Sequence, residues 1–560
     1  MKFSPSPDAQ AVRIVFLGGL GEIGRNCACI EYNGRIVLVD CGLMFPDMDM
    51  PGIDLVLPDF TYLRENAERI DGAIITHGHE DHAGALSFLL RELSFPIYSS
   101  EMTLGLLRGR IEEAGLLGKT ELITVHDGER RKVGPFDVEF IPVTHSVPDG
   151  FAVALHTEQG VILHTGDFKL DLTPIDGRRT DLGRIGSIAQ GEGIRLLMSD
   201  STNAEEPGHT ASEAAVGEVL RDLFQDHHDE RIIVACFASH IHRIQQIATA
   251  CRLSGRKIAT LGRSMARNIG VARELGELHI DDDTLIDIEQ IKNYPAKEVC
   301  IICTGSQGEP FSALSLMAVS ESKWIKVDDG DLIVFSSHPI PGNETSVGKV
   351  IDGLYRLGAE VVHSGLSPVH ASGHAKQDEL KLMLQIASPE YFVPVHGEFR
   401  HLTHHTRLAI EMGVPSSNVL LAEDGDVLTL SAKGLEFTDQ VPASYLYVDG
   451  IVGDVGRGVL RDRRVLSEEG VVIVVVTVDR ANGEVLTGPE IITKGWVFAP
   501  EAEELLGEAR QTVLDQIQKV DDTWTGDMEV LRRRIRQTLG RFVNERTKRR
   551  PMIVPVVMEV

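Results

Sequence analysis

Thr76-His77-Gly78-His79-Glu80-Asp81-His82-Ala83-Gly84 follows directly on the apolar run Gly72-Ala73-Ile74-Ile75. A strand that ends in a tight glycine turn can direct several of these side chains at one point. Zinc and manganese accept imidazole and carboxylate ligands together, and a second metal can use ligands that the first leaves free. The alternative is a histidine-rich surface loop, and the H-x-H-x-D-H spacing of ligand types argues against it. The stretch therefore predicts a metal site at the end of a strand.

Further candidate ligands follow other apolar runs that predict strands. His145 follows residues 140–144, Asp167 follows residues 161–166, and His396 follows residues 391–395. Loops at strand ends are where function is usually carried. A carboxylate can bridge two cations, and Asp167 is the natural candidate. Each residue alone is more typical of a structural role, but together with the first motif they indicate a binuclear site.

Five further motifs restrict the protein families that the sequence can resemble. They are Ile36-Val37-Leu38-Val39-Asp40, Ser199-Asp200-Ser201-Thr202-Asn203, Cys236-Phe237-Ala238-Ser239-His240-Ile241-His242-Arg243, Ser336-Ser337-His338-Pro339-Ile340-Pro341-Gly342-Asn343-Glu344 and His370-Ala371-Ser372-Gly373-His374-Ala375. The series resembles the β-CASP nucleases of the metallo-β-lactamase superfamily, and its order and spacing resemble the bacterial ribonuclease J family over essentially the whole chain. One position departs from that pattern, which has asparagine where this chain has His240.

The resemblance implies how the metal ligands divide. One cation is expected on His77, His79 and His145, a second on Asp81, His82 and His396, with Asp167 as the bridge. Zinc is the usual expectation from the ligand types, but manganese suits the carboxylates, so the sequence leaves the metal open.

Other residues are expected to act on the substrate. His374 is the candidate for protonating or stabilising the leaving 3′-oxygen, with a scaffold histidine as the alternative. Asp200 is expected to orient a ligand histidine, and Asp81 is counted as catalytic as well as a ligand. A second set is expected to hold a substrate phosphate, because hydroxyl, imidazole and backbone amides surround a glycine turn. That set comprises His370, Ala371, Ser372, Gly373 and His374, with Ser239 and His240 facing them from the insert.

The resemblance implies a metal-dependent ribonuclease acting in RNA decay and maturation, including mRNA decay and rRNA processing. It is expected to degrade single-stranded RNA in the 5′→3′ direction from a 5′-monophosphate end, and to cut internally as well. The alternatives are a β-CASP DNA nuclease, a small-ester or thioester hydrolase on the same core, and a non-catalytic RNA-binding scaffold subunit. The long insert argues against the ester hydrolase, and the complete ligand set argues against the scaffold.

The predicted fold class is α/β, a metallo-β-lactamase αββα sandwich with an inserted α/β β-CASP domain and a small C-terminal α/β domain. The expected bounds are 1–205 and 366–430 for the two parts of the metallo-β-lactamase domain, 206–365 for the insert, 431–455 for a linker and 456–560 for the C-terminal domain. His396 lies beyond the insert, so the metal-bearing domain must resume before it. We expect the insert to close over the metals as a lid, with substrate in the cleft between them.

Composition fits a large protein of more than one domain, with 560 residues. The net charge of −28 argues mildly against RNA, yet a local groove governs binding more than net charge does. The N-terminal residues show no signal sequence, and apolar stretches such as 471–478 are too short to span a bilayer. Seven cysteines do not describe a disulfide framework, so we expect a reducing cytoplasm and no membrane partner.

Two short motifs suggest other chemistry. Gly19-Leu20-Gly21-Glu22-Ile23-Gly24 matches the dinucleotide pattern, which requires a helix directly afterwards. Here residues 27–32, the Asn33-Gly34 turn and residues 36–39 predict a hairpin, so the glycines are expected to shape a turn. Cys300 and Cys303 lie three apart on a predicted strand and should face opposite sides, as core residues do.

The C-terminal domain and one acidic loop raise two more hypotheses. A basic helix carries Arg532, Arg533, Arg534, Arg536 and Arg541. A solvated helix with homodimer contacts is favoured over RNA contact. Asp47, Asp49 and Asp54 lie on one loop that Asp449 can reach, and calcium prefers such oxygens. An exposed acidic loop is the alternative. A homodimer is expected, and other RNA-decay proteins are candidate partners.

Overall fold

The computed structural model describes residues 10–47, 49–309, 311–340, 342–450, 455–479, 484–497, 502–518 and 527–560. The chain divides into two compact units. The first is Met1–Met44 with Leu57–Tyr445, and the second is Phe45–Val56 with Leu446–Val560.

The strands are, in chain order, β1 (Val12–Gly18), β2 (Leu20–Gly21), β3 (Cys27–Tyr32), β4 (Arg35–Val39), β5 (Leu55–Leu57), β6 (Ile70–Ile74), β7 (Ile97–Ser99), β8 (Leu122–Thr124), β9 (Arg130–Val133), β10 (Phe136–Pro142), β11 (Phe151–Thr157), β12 (Gly160–His164), β13 (Ile194–Asp200), β14 (Arg231–Ala235), β15 (Lys257–Leu261), β16 (Leu285–Ile286), β17 (Val299–Cys303), β18 (Asp331–Phe335), β19 (Glu360–His363), β20 (Tyr391–Val395), β21 (Gly397–Glu398), β22 (Asp426–Ser431), β23 (Gly434–Gln440), β24 (Leu446–Val448), β25 (Val471–Val478), β26 (Val485–Lys494) and β27 (Met552–Glu559).

The α-helices are α1 (Thr61–Glu65), α2 (Glu80–Ala83), α3 (Leu86–Leu89), α4 (Glu101–Glu113), α5 (Leu182–Gln190), α6 (Glu213–Asp226), α7 (Ile241–Ser254), α8 (Arg263–Glu274), α9 (Ala313–Ala318), α10 (Glu344–Arg356), α11 (Gln377–Ala387), α12 (Phe399–Glu411), α13 (Gly456–Glu469), α14 (Glu503–Gln518) and α15 (Met528–Thr547). Short 3-10 helices cover Ala67–Arg69, Ile288–Asn293, Ala296–Glu298 and Ser416–Asn418.

Two sheets form the sandwich of the first unit. One has the order β23-β22-β1-β3-β4-β6-β7-β8, and the other has the order β20-β13-β12-β11-β10-β9. Alternate residues of a strand face opposite sides of a sheet. On β10, Val138 and Phe140 therefore join the core between the sheets, while Ile141 joins the layer that α5 and α11 cover. The αββα prediction is confirmed.

The insert is a separate sheet with the order β16-β15-β17-β14-β18-β19, and its neighbouring strands are parallel. Parallel strands are covered on both faces, which explains their continuous apolar sequences. Cys300 packs in the core on one face of β17 and Cys303 in the core on the other, as predicted. After the insert, β20 returns to the second sheet of the sandwich beside β13, which places His396 at the end of that sheet.

The hairpin prediction for the glycine motif is confirmed. Strands β3 and β4 pair antiparallel, and Asn33 and Gly34 both have positive φ at the turn between them. Because a strand rather than a helix follows the glycines, a Rossmann-type phosphate site is absent from this described segment.

The second unit contains a sheet with the order β26-β25-β27. Alternate residues of β25, such as Val472 and Val474, are buried against α14 and α15. The dipeptide Asn482-Gly483, a sequence that favours a hairpin turn, lies outside the described residues. Two features differ from the expected bounds: β23 extends the first sheet past residue 430, and Phe45–Val56 groups with the C-terminal part, where β5 pairs with β24. Among the described residues, no helix has both the length and the apolar character that a membrane crossing requires.

Candidate metal centre

The predicted ligands converge where β6, β12 and β20 end. Two groups each place one donor atom per residue within 4.8 Å of the others. The groups are His77, His79, His145 and Asp167, and Asp81, His82, Asp167 and His396. Each group therefore combines a complete set of three predicted ligands with the predicted bridge.

Asp167 lies between the two groups. Its Oδ2 is 3.6 Å from Nε2 of His77 and 3.7 Å from Nε2 of His145. The same oxygen is 3.2 Å from Nε2 of His82, and Oδ1 is 3.3 Å from Nδ1 of His396. This position between both sets is what a bridging carboxylate requires.

Three imidazole nitrogens of the first group point at one place. Nδ1 of His79 lies 3.1 Å from Nε2 of both His77 and His145. The other nitrogen of His145, Nδ1, donates to the carbonyl oxygen of Gly373 at 2.7 Å, which leaves its Nε2 with a free lone pair. A single N–H among these three nitrogens cannot form a hydrogen bond to both of the others and also use its own lone pair. A cation can accept the lone pairs of all three.

The second group is oriented by two further carboxylates. Asp40 accepts from Nδ1 of His82 at 2.8 Å and from the Thr76 amide at 2.7 Å. Asp200 lies 3.4 Å from Nδ1 of His396 and 2.8 Å from Nδ1 of His374. The structure thus brings Asp200 to a ligand histidine and to the histidine expected to act on the leaving group.

The protonation tendencies of the groups differ. Burial lowers the pKa of His77 and His145, and lowers that of His79 to about 4, so these imidazoles are neutral near pH 7. Burial alone would also lower the pKa of His396, but Asp167, Asp200 and Asp81 outweigh it and raise the pKa to about 10.

The residues present fit a pair of divalent cations. The buried Oδ1 of Asp167 accepts no hydrogen bond. Burial would raise the pKa of Asp167, but His396 and His82 hold it well below its usual range, so the carboxylate is ionised. Ionised carboxylates facing imidazole lone pairs are a donor set for zinc or manganese.

Four family models match the chain. They are described as "Metallo-beta-lactamase superfamily" over residues 20–230, "Ribonuclease J, beta-CASP domain" over 229–354, "Zn-dependent metallo-hydrolase RNA specificity domain" over 360–419 and "Ribonuclease J C-terminal domain" over 458–560. Ribonuclease J2 of Bacillus subtilis is 42% identical over 555 residues, covering 99% of both chains. Ribonuclease J of Mycolicibacterium smegmatis is 41% identical over 559 residues, again covering 99% of both.

The chain belongs to the ribonuclease J family. A solved structure of a protein of unknown function from Enterococcus faecalis V583 also resembles it, with a TM-score of 0.53 and 16% identity over 75% of this chain and all of that one. That likeness concerns the fold alone. Family membership establishes that the protein is a hydrolase of the metallo-β-lactamase superfamily that binds divalent metal.

Residues 370–374 were expected to bind a substrate phosphate. Several polar groups of this segment already form hydrogen bonds within the protein. Ser372 Oγ accepts from Asn203 at 2.9 Å and from the His374 amide at 3.2 Å, so this hydroxyl can only donate to a ligand. Gly373 uses its carbonyl to hold His145, and Ala371 is buried in the insert core. Of the backbone donors in this segment, the His374 amide is therefore already engaged.

Two histidines of that set face each other. The rings of His240 and His370 lie 6.4 Å apart, and His240 Nε2 and His370 Nδ1 are buried without a hydrogen-bond partner. Burial lowers the pKa of both, that of His240 to about 4. Ser239 stands next to His240 on the turn that precedes α7. His240, the departure from the family pattern, lies 3.6 Å from the buried carboxylate of Glu213.

Two carboxylates of the calcium hypothesis are paired with arginine. Asp49 pairs with Arg464 at 2.6 Å, and Asp449 pairs with Arg463. Arginine neutralises the charge that would attract a cation. Among the described residues, no group suited to a metal includes Asp47, Asp49 or Asp449.

The sequence did not reveal the supporting roles of the Asn26 side chain, Thr76, Thr202 and the Gly373 carbonyl, although the last three residues lie within its motifs. Thr202 Oγ1 lies 2.9 Å from Nδ1 of His396. No local pattern marks the contacts of Asn26, Thr202 and the Gly373 carbonyl, because their partners lie far away in the chain.

Proposed function

We propose that the protein is a metal-dependent ribonuclease that degrades single-stranded RNA from a 5′-monophosphate end, one nucleotide at a time, and also cuts internally. The observation that carries this is the convergence of both ligand groups on Asp167 in a chain with an RNA specificity domain match. Relatives named ribonuclease J match nearly the full length. RNA decay and maturation are the processes that such an activity serves.

The cations, when bound, supply a water of lowered pKa and offset charge on the phosphate. The chain's own residues orient the reaction around them. His374 gives its Nδ1 to Asp200 at 2.8 Å, so its Nε2 is the nitrogen left for the leaving 3′-oxygen. In the metal-free protein, burial would lower the pKa of His374, but Asp200 and Asp167 raise it.

His370, Ser372 and His240 form the proposed 5′-phosphate pocket. Ser372 offers its O–H and His370 offers a nitrogen that no protein group uses. A pocket one nucleotide from the metals would release single nucleotides. The few polar groups of this site, one hydroxyl and two neutral imidazoles, suit the lower charge of a monophosphate better than that of a triphosphate.

Zinc and manganese both fit the donor atoms. The first group has three imidazoles, a donor set that suits zinc. The second has two carboxylates, which suit manganese as well as zinc. Elemental analysis of protein purified without added metal identifies the resident ion.

The pocket is tested with one RNA carrying either a 5′-monophosphate or a 5′-triphosphate. We expect faster release of single nucleotides from the monophosphate RNA, and a smaller preference in His370→Ala. His228→Ala is the matched control, because that histidine is 75% exposed. Equal rates on the two RNAs would contradict the proposed phosphate pocket. Wild-type protein that hydrolyses neither RNA would contradict the proposed ribonuclease activity.

A DNA nuclease is the second candidate, since the metal core does not distinguish the sugars. DNA of the same sequence, cut as fast as RNA, would favour it. Homodimerisation and a cytoplasmic location stay predictions; the seven cysteines, all buried and free, support a reducing compartment.

A further inference from the structure

The loop of residues 18–26, between β1 and β3, carries the glycine motif and has no part in the mechanism above. It folds back on itself tightly. Gly19 has φ +93°, and a Cβ there would lie 2.5 Å from the Asn26 side-chain oxygen. The glycines thus bring Asn26 and Gly19 to the same end of the loop.

Asn26 reaches two ligands of the second group. Its backbone N–H and its side-chain Nδ2 both donate to the carbonyl oxygen of Asp81 at 3.0 Å. The same Nδ2 lies 3.2 Å from Nε2 of His82. Because His82 Nδ1 faces Asp40, Nε2 is the nitrogen left for a cation, and Asn26 lies beside it while holding the Asp81 backbone.

The start of the loop holds the third ligand. The Gly19 carbonyl accepts from the His396 amide at 3.1 Å, and β2 pairs with β21 directly after His396. His396 has φ +54°, a strained conformation that a residue with a side chain keeps only where its surroundings fix it. The loop is part of those surroundings.

The first group is supported from elsewhere. His145 is held by Gly373, His77 by Thr76, and His79 Nε2 lies 3.3 Å from Ser146 Oγ. Within the described part of the chain, no hydrogen bond joins residues 18–26 to His77, His79 or His145.

A buried charged cluster fixes the loop. Arg25 is fully buried, and its guanidinium lies 2.7 Å from Glu22 and 2.9 Å from Asp424. Asp424 also accepts from the Leu20 amide at 3.0 Å, and the Tyr445 hydroxyl donates to Glu22 at 2.8 Å. Breaking a buried pair is costly, so the cluster keeps the loop in one conformation.

We propose that residues 18–26, fixed by the Arg25 cluster, are a positioning element for the second cation alone, acting on Asp81, His82 and His396. The proposal rests on the proposed binuclear centre. Loss of the Asn26 side chain should therefore weaken binding of the second cation and leave binding of the first unchanged.

The test titrates metal-free protein with Mn²⁺ by calorimetry in two backgrounds. His145→Ala disables the first group, so the remaining cation reports the second; His396→Ala does the reverse. Asn26→Ala should weaken binding about 10- to 100-fold in the His145→Ala background and leave it unchanged in the His396→Ala background. Ser146→Ala, the matched control, should show the opposite pattern through its contact with His79.

Equal weakening in both backgrounds, or none in either, would overturn the proposal. Wild-type protein that takes up no cation would instead overturn the proposed function. If Asn26→Ala does not fold, Tyr445→Phe removes only the hydroxyl that holds Glu22. Tyr445→Phe should weaken binding of the second cation about fivefold, the effect expected from the loss of one hydrogen bond. Unchanged binding would contradict the proposal.

Discussion

Raising the pH should strengthen binding of the second cation and not the first. A cation needs the unprotonated imidazole, so binding competes with protons at every histidine whose pKa lies above the working pH. His396, with a pKa raised to about 10 in the metal-free protein, is protonated at pH 7. His79, with a pKa of about 4, is not.

The magnitude follows from that pKa. Each pH unit below 10 weakens the second cation about tenfold, so between pH 7 and pH 9 its affinity should rise about 100-fold, or about 2.7 kcal/mol. His82, whose pKa is also raised, can only steepen this slope. The first cation should change little over the same interval.

The assay is Mn²⁺ titration of the His145→Ala and His396→Ala variants at pH 7, 8 and 9. Repeating it in buffers of different ionisation enthalpy counts the protons released. Release of at least one proton at the second site and none at the first is the expected result. A pH-independent second site, or equal slopes at both, would refute the reasoning.

Three further predictions concern catalysis, RNA binding and stability. His77→Ala should abolish RNA hydrolysis while the circular dichroism spectrum stays that of wild type, because the ligand is replaced without a change of fold; an altered spectrum would point to a structural role. Replacing residues 532–534 with alanine should flatten the salt dependence of RNA binding by about 0.7 per lost phosphate contact if the exposed side of α15 binds RNA, and an unchanged slope would dismiss that contact. Leu539→Ala should lower the free energy of unfolding by about 2–5 kcal/mol in denaturant titration, since Leu539 is fully buried under the C-terminal sheet; a loss below 1 kcal/mol would contradict that packing.

The sequence predicted the parts of this protein that local pattern determines. Apolar runs of alternating or continuous type located the strands of the sandwich and of the insert. Ligands such as His145 and His396 were recognisable because each directly follows a strand. Their division between two cations came from the family resemblance, and the distances around Asp167 are consistent with it.

The rest depends on contacts between distant parts of the chain. Asn26 gives no signal in the sequence, since its role arises only when the loop lies against Asp81, 55 positions away. The surroundings of Asp49 and Asp449, the residues of the calcium hypothesis, depend on distant contacts in the same way. Acidic clustering is visible locally, whereas Arg464 and Arg463, which neutralise these carboxylates, are not recognisable as their partners.

Anomalous diffraction from crystals of the metal-loaded protein tests the central claim most directly. The account predicts two peaks about 3.5–4 Å apart on either side of Asp167, one at the nitrogens of His77, His79 and His145 and the other beside Asp81, His82 and His396. Absence of both peaks at full metal occupancy in solution, or peaks away from Asp167, would contradict it.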